Sequence, residues 1–304
     1  MLLSLLACSS DFGLTHADRP RAEATEESPA NTDTAEVESE PTDTAVEAEP
    51  ADTAVPGDTA NDPAPEDDCT TTDDLVYVLA RDDGALYTFD PSSLSFTRLG
   101  VVSCRTSSDP ASMAISRDGV AYIRYADESV YAVALDTLAC TATTYSDRRT
   151  SFDSFGMGYA TDEAGTWRDH LYVANSDTLG VLDPSTWEIH TLGRMASQSE
   201  LTGNASGELW AMLPLEVPAE LQRLDKTTGE VAERLTLRDF PSASQIDTFA
   251  FATWDGSFYL FVSENGSNAG SDVYEVTPSG AMSKVLGRVG FDVVGAGVST
   301  CAPG

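Results

Sequence analysis

Five acidic residues recur at one place in an internal repeat of this chain, at or near the start of a short apolar segment. They are Asp109, Asp153, Glu200, Asp247 and Asp292. Clustered carboxylates bind hard cations such as Ca²⁺, and they also attract cationic organic groups. If the repeat brings these acids together, they form an acidic mouth able to hold Ca²⁺ or a cationic ligand. The alternative is that each acid accepts hydrogen bonds from its own turn.

Recognised catalytic and cofactor motifs are absent from the sequence. It contains no Gly-x-Ser-x-Gly elbow, phosphate loop or dinucleotide fingerprint, and no Cys-x-x-Cys or Cys/His zinc spacing. The repeat region has only two histidines, His170 and His190, and their positions predict surface or packing roles. We therefore expect a protein that is not an enzyme and has no cofactor other than Ca²⁺ at the acidic mouth.

The elements that must position these acids are short strands between residues 75 and 304. An acidic turn between two strands marks each repeat, and the turns begin 46, 47, 42 and 52 residues apart. Asp and Pro favour type I turn geometry, so each copy predicts a tight hairpin. The five turns lie at 89–93, 135–137, 182–186, 224–229 and 276–280.

Four of the repeats also contain a small, apolar segment that suits the innermost strand of a propeller blade, where Gly and Ala prevent clashes. These segments lie at 113–116, 156–160, 201–204 and 249–253. The first repeat lacks one, and a spare segment at 293–298 can supply it. The pattern predicts a five-bladed, all-β propeller of four-stranded antiparallel blades, whose C-terminal strand closes the first blade. A six-bladed ring is the rival if the loops at 161–169 or 263–271 contain strands.

The five cysteines predict two disulfides and one modified thiol. Cys69 and Cys301 flank the first and last predicted strands, so their pairing would close the ring. Cys104 and Cys140 would close a second loop within one repeat. Both bridges require an oxidising compartment. The alternative is that these four cysteines are free, buried thiols. Cys8 is the odd cysteine that remains.

Residues 1–8 end in Leu-Leu-Ala-Cys, which resembles the bacterial lipobox. The resemblance implies that Cys8 is diacylated and anchors the protein, and Ser9 after it favours the outer membrane. The apolar run is short for a signal and carries no preceding basic residue, so we expect the true translation start upstream. The alternative is an accidental match.

Residues 9–74 differ in composition from the rest of the chain. They hold 20 acidic and two basic side chains. The net charge of the whole protein is −33. Such a segment buries too little apolar surface to fold, so it predicts a disordered tether. The alternative is a tract that binds divalent cations or carries O-linked glycans. The net charge also opposes binding to nucleic acid.

Several short stretches resemble a family of propeller-like lipoproteins of myxobacteria and related bacteria. The stretches are Ser-Met-Ala-Ile-Ser-Arg-Asp-Gly-Val-Ala-Tyr at 112–122, Phe-Gly-Met-Gly at 155–158, Glu-Leu-Thr-Gly at 200–203 and the ending at 293–303. The resemblance covers most of 75–304. It implies fold and location, and no activity.

Together these features predict a lipid-anchored β-propeller of the cell envelope, on the outer membrane and monomeric. We expect it to be a non-catalytic binding or scaffold module for a protein or glycan. The alternative function is a propeller enzyme, a metal-dependent lactonase or other hydrolase, or a lyase, that uses the acidic mouth.

Overall fold

The computed structural model describes residues 75–146, 152–164 and 166–302. Within them the chain forms twenty strands and one short 3₁₀ helix, Ala243–Gln245. The predicted lipobox at 1–8 and acidic tether at 9–74 lie outside the described residues. No helix of the described part is long and apolar enough to cross a membrane.

The strands follow one another in groups of four, except in the first blade. Blade 1 begins with β1 Val76–Ala80, β2 Ala85–Asp90 and β3 Ser95–Val101. Blade 2 contains β4 Pro110–Ile115, β5 Val120–Tyr125, β6 Val130–Ala134 and β7 Cys140–Ala142. Blade 3 contains β8 Gly156–Thr161, β9 Asp169–Ala174, β10 Thr178–Asp183 and β11 Glu188–Arg194.

The last two blades and the closing strand complete the ring. Blade 4 contains β12 Glu200–Gly203, β13 Leu209–Leu213, β14 Glu220–Leu224 and β15 Val231–Thr236. Blade 5 contains β16 Ile246–Trp254, β17 Ser257–Glu264, β18 Asp272–Val276 and β19 Met282–Leu286. The final strand is β20 Val293–Gly297, which pairs antiparallel with β1 and becomes the inner strand of blade 1.

The prediction of a five-bladed propeller closed by its C-terminal strand is therefore confirmed. The inner strands β20, β4, β8, β12 and β16 contact one another in a closed circle. The described parts of the loops at 161–169 and 263–271 contain only the ends of neighbouring strands, so the six-bladed alternative is wrong. Pairing with β20 covers the edge of β1 that would otherwise be open.

Glycines on the inner strands allow the blades to approach one another, as the sequence predicts. A Cβ on Gly156 would lie 2.2 Å from the carbonyl oxygen of Ser199, and one on Gly158 would lie 2.6 Å from that of Leu201. Real Cβ atoms do not approach backbone that closely. Blades 3 and 4 can pack at this distance only because those positions have no side chain.

Aromatic packing joins blade 1 to blade 5 at the seam of the ring. The Phe89 ring lies edge-on to Tyr259 and Phe261, with centroids 5.5 Å away in both pairs. Val76 and Val78 of β1 belong to the same buried cluster. The seam is thus held by the ordinary apolar core as well as by strand pairing.

The segment after β20 extends the closure to another blade. Val298, Ser299 and Thr300 are buried, and the Thr300 hydroxyl donates to the Asp169 carboxylate of blade 3. Asp169 also accepts two hydrogen bonds from Arg117, at 3.0 and 3.1 Å. Because Arg117 follows β4, this network ties the C-terminal segment to blades 2 and 3.

One of the two predicted disulfides is present among the described residues. Cys104 and Cys140 are bonded, with their Cα atoms 5.2 Å apart. The bridge links the segment after β3 to the outer strand of blade 2. Cys301 is also disulfide-bonded, but Cys69, its predicted partner, lies outside the described residues, as does Cys8. The Cys69–Cys301 pairing and the lipidation of Cys8 stay predictions.

Candidate functional site

Four of the five predicted acids line one cavity where the inner strands begin. Asp109, Asp153, Glu200 and Asp247 all border this space, whose volume is about 440 Å³. We call it the axial cavity, and its other lining residues are Arg81, Pro110, Ala111, Arg124, Ala126, Glu128, Ser154, Gln198, Thr248, Phe249 and Val294. Its volume falls within the roughly 300–1,000 Å³ typical of small-molecule sites.

Bulges shape three of the strand ends around the axial cavity. The pairing register shifts between Pro110 and Ser112 in β4, between Ile246 and Thr248 in β16, and between Leu79 and Ala80 in β1. A bulge turns the following side chains to a new direction. The sequence prediction placed the starts of β4 and β16 three residues late, because Pro110 and Asp247 interrupt the apolar pattern.

The fifth acid, Asp292, is connected to the axial cavity through Arg81. Arg81 Nη2 donates to Asp247 Oδ2 at 2.8 Å and to Asp292 Oδ2 at 2.5 Å. Asp292 is itself buried and also accepts a hydrogen bond from Ser263 Oγ at 2.7 Å. The hydrogen bond to Asp247 raises the pKa of Arg81. Asp247 and Asp292 therefore share one guanidinium within the protein, which gives both of them a structural contact.

Arg124 is a second base that sequence reasoning did not single out. Its side chain stands at the end of β5 and is only 5% exposed. Nε donates to the Phe155 carbonyl at 2.8 Å and Nη1 donates to the Tyr125 carbonyl at 3.3 Å. Among the described residues, Nη2 has no hydrogen-bond acceptor. An isolated arginine on a strand carries no motif, so only the fold could have revealed it.

Glu200 lies beside Arg124 and is almost completely buried. Burial raises the pKa of Glu200 to about 8, although a hydrogen bond from Ser112 and the charge of Arg124 act in the opposite direction. Ser112 Oγ donates to Glu200 Oε2 at 2.7 Å. At neutral pH Glu200 is therefore mostly protonated, and it adds no full negative charge to the axial cavity.

Asp109 and Asp153 are exposed on the rim of the axial cavity, as Asp247 is, but unlike Asp247 they form no ion pair with a described base. Asp153 Oδ1 accepts a hydrogen bond from the Ser154 amide at 2.7 Å, so the turn-forming alternative describes this residue in part. The carboxylate of Asp109 makes no hydrogen bond within the described part of the chain. Both carboxylates keep oxygen atoms available to a ligand.

The acids of the hairpin turns behave differently from the acids of the mouth. Asp90, Asp183 and Asp225 each accept hydrogen bonds from the backbone of their own turn. Hydrogen bonds from neighbouring hydroxyl groups, together with these backbone contacts, lower the pKa of Asp90 and of Asp225 to about 2. Turn-forming hydrogen bonds are therefore accepted mainly by the acids of the hairpin turns, and less by the acids that line the axial cavity.

The geometry of the axial cavity is that of a mixed-charge site. Arg81 stands between Asp247 and Asp292. Within 75–146, 152–164 and 166–302, no three His, Cys, Asp or Glu side chains are grouped so that they could hold a metal ion. His170 and His190 are exposed, and neither lines the axial cavity. The arrangement can offer carboxylate acceptors at the rim and a guanidinium donor below them.

Comparisons with known proteins assign the chain to no family. No protein-family model matches the chain, and no curated protein matches it significantly. A protein of unknown function from Bacteroides caccae is 9% identical over 74% of this chain and 98% of its own, with a TM-score of 0.42.

Two other similar structures have stated activities. An auxiliary nutrient binding protein from Bacteroides thetaiotaomicron is 13% identical, with a TM-score of 0.42, over 71% of this chain and 55% of its own. The hydrazine synthase of Kuenenia stuttgartiensis is 14% identical, with a TM-score of 0.38, over 71% of this chain and 67% of its own. Identity this low transfers no function to this chain.

Proposed function

We propose that this protein is a non-catalytic binding or scaffold module of the bacterial cell envelope, which binds a protein or glycan at the face where the axial cavity opens. The observation that carries the proposal is the combination of rim carboxylates and a buried guanidinium at one concave site. Sites that fix a ligand's orientation combine a mostly apolar wall with a few polar groups of this kind. Ala111, Phe249 and Val294 supply apolar wall.

The proposal also places the protein at the outer membrane through a lipid on Cys8. A disulfide between Cys104 and Cys140 supports export, because such bridges persist in oxidising compartments. The acidic segment 9–74 then acts as a spacer between lipid and propeller. No contact among the described residues favours the reaction of a lactonase, another hydrolase or a lyase.

Capture of an envelope ligand tests the binding role. The full-length protein, immobilised, is exposed to an envelope fraction of the producing cells in three forms: wild type, Asp109→Asn/Asp153→Asn and Asp136→Asn. Asp136 is an exposed acid that follows β6 and so lies on the opposite face of the ring. We expect one ligand to be retained by the wild type and by Asp136→Asn, and to be lost from the double variant. Equal retention by all three forms would contradict binding at the axial cavity.

Metabolic labelling tests the lipid anchor separately. Cells supplied with a clickable fatty acid are expected to label the wild-type protein and not Cys8→Ala, because only the Cys8 thiol can receive the lipid. The membrane fraction should lose the variant at the same time. Equal labelling of both proteins, or of neither, would exclude Cys8 as the anchor.

A further inference from the structure

The axial cavity is lined by groups of both charges, Asp109, Asp153 and Arg124, that form no ion pair within the described part of the chain. Arg124 Nη2 has no acceptor among the described residues, although the rest of the guanidinium is held in place by two carbonyl groups. Arg124 is only 5% exposed, and it lines the axial cavity. An oriented, buried donor of this kind fits an anionic or carbonyl oxygen.

The rim of the same cavity carries the complementary charge. Asp109 and Asp153 are exposed there, and neither forms a salt bridge with a described base. Asp153 lies near enough to Arg124 for their charges to interact, without a hydrogen bond between them. A ligand placed in this space would meet carboxylates at the rim and the guanidinium below.

Thr248 also borders the axial cavity. It is 7% exposed, and its buried hydroxyl has no hydrogen-bond partner among the described residues. Buried hydroxyls are normally bonded, and each exception calls for a group that satisfies it. Thr248 follows Asp247 in the bulged start of β16, so its position depends on the same irregularity that shapes the mouth.

We propose that the axial cavity binds a small zwitterion of the amino-acid or short-peptide class, with its ammonium group at Asp109 and Asp153 and its carboxylate at Nη2 of Arg124. Such a ligand carries a positive and a negative charge a short distance apart, so it pairs with the rim carboxylates and with the Arg124 guanidinium at the same time. A simple cation would leave the guanidinium unpaired, and a simple anion would meet the rim carboxylates. Pro110, Ala111 and Phe249 border the space left for a side chain. The inference rests on the binding role proposed above and names its ligand chemistry.

The test begins with thermal unfolding of the full chain. Each of the standard L-amino acids and the dipeptide alanylalanine is added alone at about 10 mM, where a ligand with a Kd near 1 mM should raise Tm by about 3 °C. The zwitterion with the largest effect is then compared by calorimetry with its amide, which lacks the negative charge, and its N-acetyl form, which lacks the positive one. We expect the zwitterion to bind at least about tenfold more tightly than either derivative.

Variants separate direct contact from a structural effect. Asp109→Asn/Asp153→Asn should weaken binding of the zwitterion about tenfold, so that the zwitterion no longer binds more tightly than its N-acetyl form. Asp136→Asn, on the opposite face, should leave the affinities for the zwitterion and for the N-acetyl form unchanged. Arg124→Met should remove the advantage over the amide. Arg124 is buried, so Arg124→Met can fail to fold. In that case the affinities of Asp109→Asn/Asp153→Asn, which changes only exposed residues, decide whether the inference holds.

Three results would overturn the inference. They are the absence of a Tm shift with any of the zwitterions, binding of the amide or N-acetyl form as tight as that of the zwitterion, and unchanged affinity in Asp109→Asn/Asp153→Asn. If no zwitterion binds while capture of an envelope ligand still depends on Asp109 and Asp153, the inference fails and the proposed function stands. If a zwitterion binds but no envelope ligand is captured, the proposed function fails instead.

Discussion

Glu200 shows how the interior of the ring changes the chemistry of a single side chain. In the sequence it belongs to a series of five acids, and it shares their position at the start of an inner strand. In the structure, burial beside Ser112 and Arg124 raises its pKa to about 8. Asp109 stays exposed at the equivalent place in blade 2. Equal positions in the repeat therefore differ in burial, and burial raises the pKa of Glu200.

Replacing Glu200 by glutamine tests this protonation state. The native protein holds the proton up to about pH 8, whereas the unfolded chain releases it near 4.5. Stability contributed by this group is thus complete below pH 4.5 and is lost as the pH rises to 8. Glu200→Gln has no such loss. Between pH 5 and pH 9 its free energy of unfolding should therefore rise by roughly 2–4 kcal/mol relative to that of the wild type.

Urea unfolding at several pH values measures this difference. Glu188→Gln, at an exposed position of β11, is the control and should run parallel to the wild type. If Glu200→Gln also runs parallel to the wild type across that range, Glu200 is ionised in the native state.

Gly156 and Gly158 of β8 determine how closely neighbouring blades can approach. Their missing side chains leave room for the backbone of β12 in blade 4. The sequence prediction of small residues at the axis is confirmed at these positions. β20 shows the same feature, since all five residues of its Val-Val-Gly-Ala-Gly sequence are buried.

Substituting Gly158 by alanine should be strongly destabilising. The new Cβ would lie 2.6 Å from the Leu201 carbonyl oxygen, and neither strand can move without disturbing the ring. Overpacking of this kind costs about 1–3 kcal/mol or more. Gly287→Ala is the matched control, since its Cβ would meet nothing closer than 3.4 Å. Equal unfolding midpoints for the two variants would show that the inner strands are loosely packed.

The Cys104–Cys140 bridge connects two segments of the chain that are 36 residues apart. In the chain-entropy model a loop of this length is stabilised by about 4 kcal/mol. Cys104→Ser/Cys140→Ser should therefore lose up to that amount in urea unfolding, whereas Cys8→Ala should lose none. An unchanged midpoint in the double serine variant would mean that blade 2 is already ordered without the bridge.

At the scale of the whole molecule, closure of the ring depends on the last strand of the chain. β20 pairs with β1 and lies between β16 and β4, so it completes blade 1 and both of that blade's interfaces. Thr300 beyond it adds a contact with Asp169 in blade 3. One short segment thus completes contacts with most of the ring.

A chain that ends at residue 292 should not form a stable propeller. It would expose the edge of β1, and unpaired edges favour aggregation. We expect light scattering and the loss of a cooperative thermal transition. A chain lacking residues 9–60, which keeps Cys69, should unfold at the wild-type Tm if the acidic segment is a spacer. A cooperative wild-type transition in the chain ending at 292 would contradict the closure mechanism.

The sequence alone determined the blade count, the strand order and the closing strand, because hairpin turns and strands are encoded locally and repeat five times. The role of a turn acid such as Asp90 follows from its neighbours in the chain, because it accepts a hydrogen bond from the Ser92 amide. The paired and buried states of the mouth acids were decided only by the tertiary structure. Asp247 and Asp292 meet Arg81 across 166 and 211 residues, and Glu200 meets Ser112 across 88. Such contacts leave no local pattern, since they arise only where blades from distant parts of the chain meet around the axis.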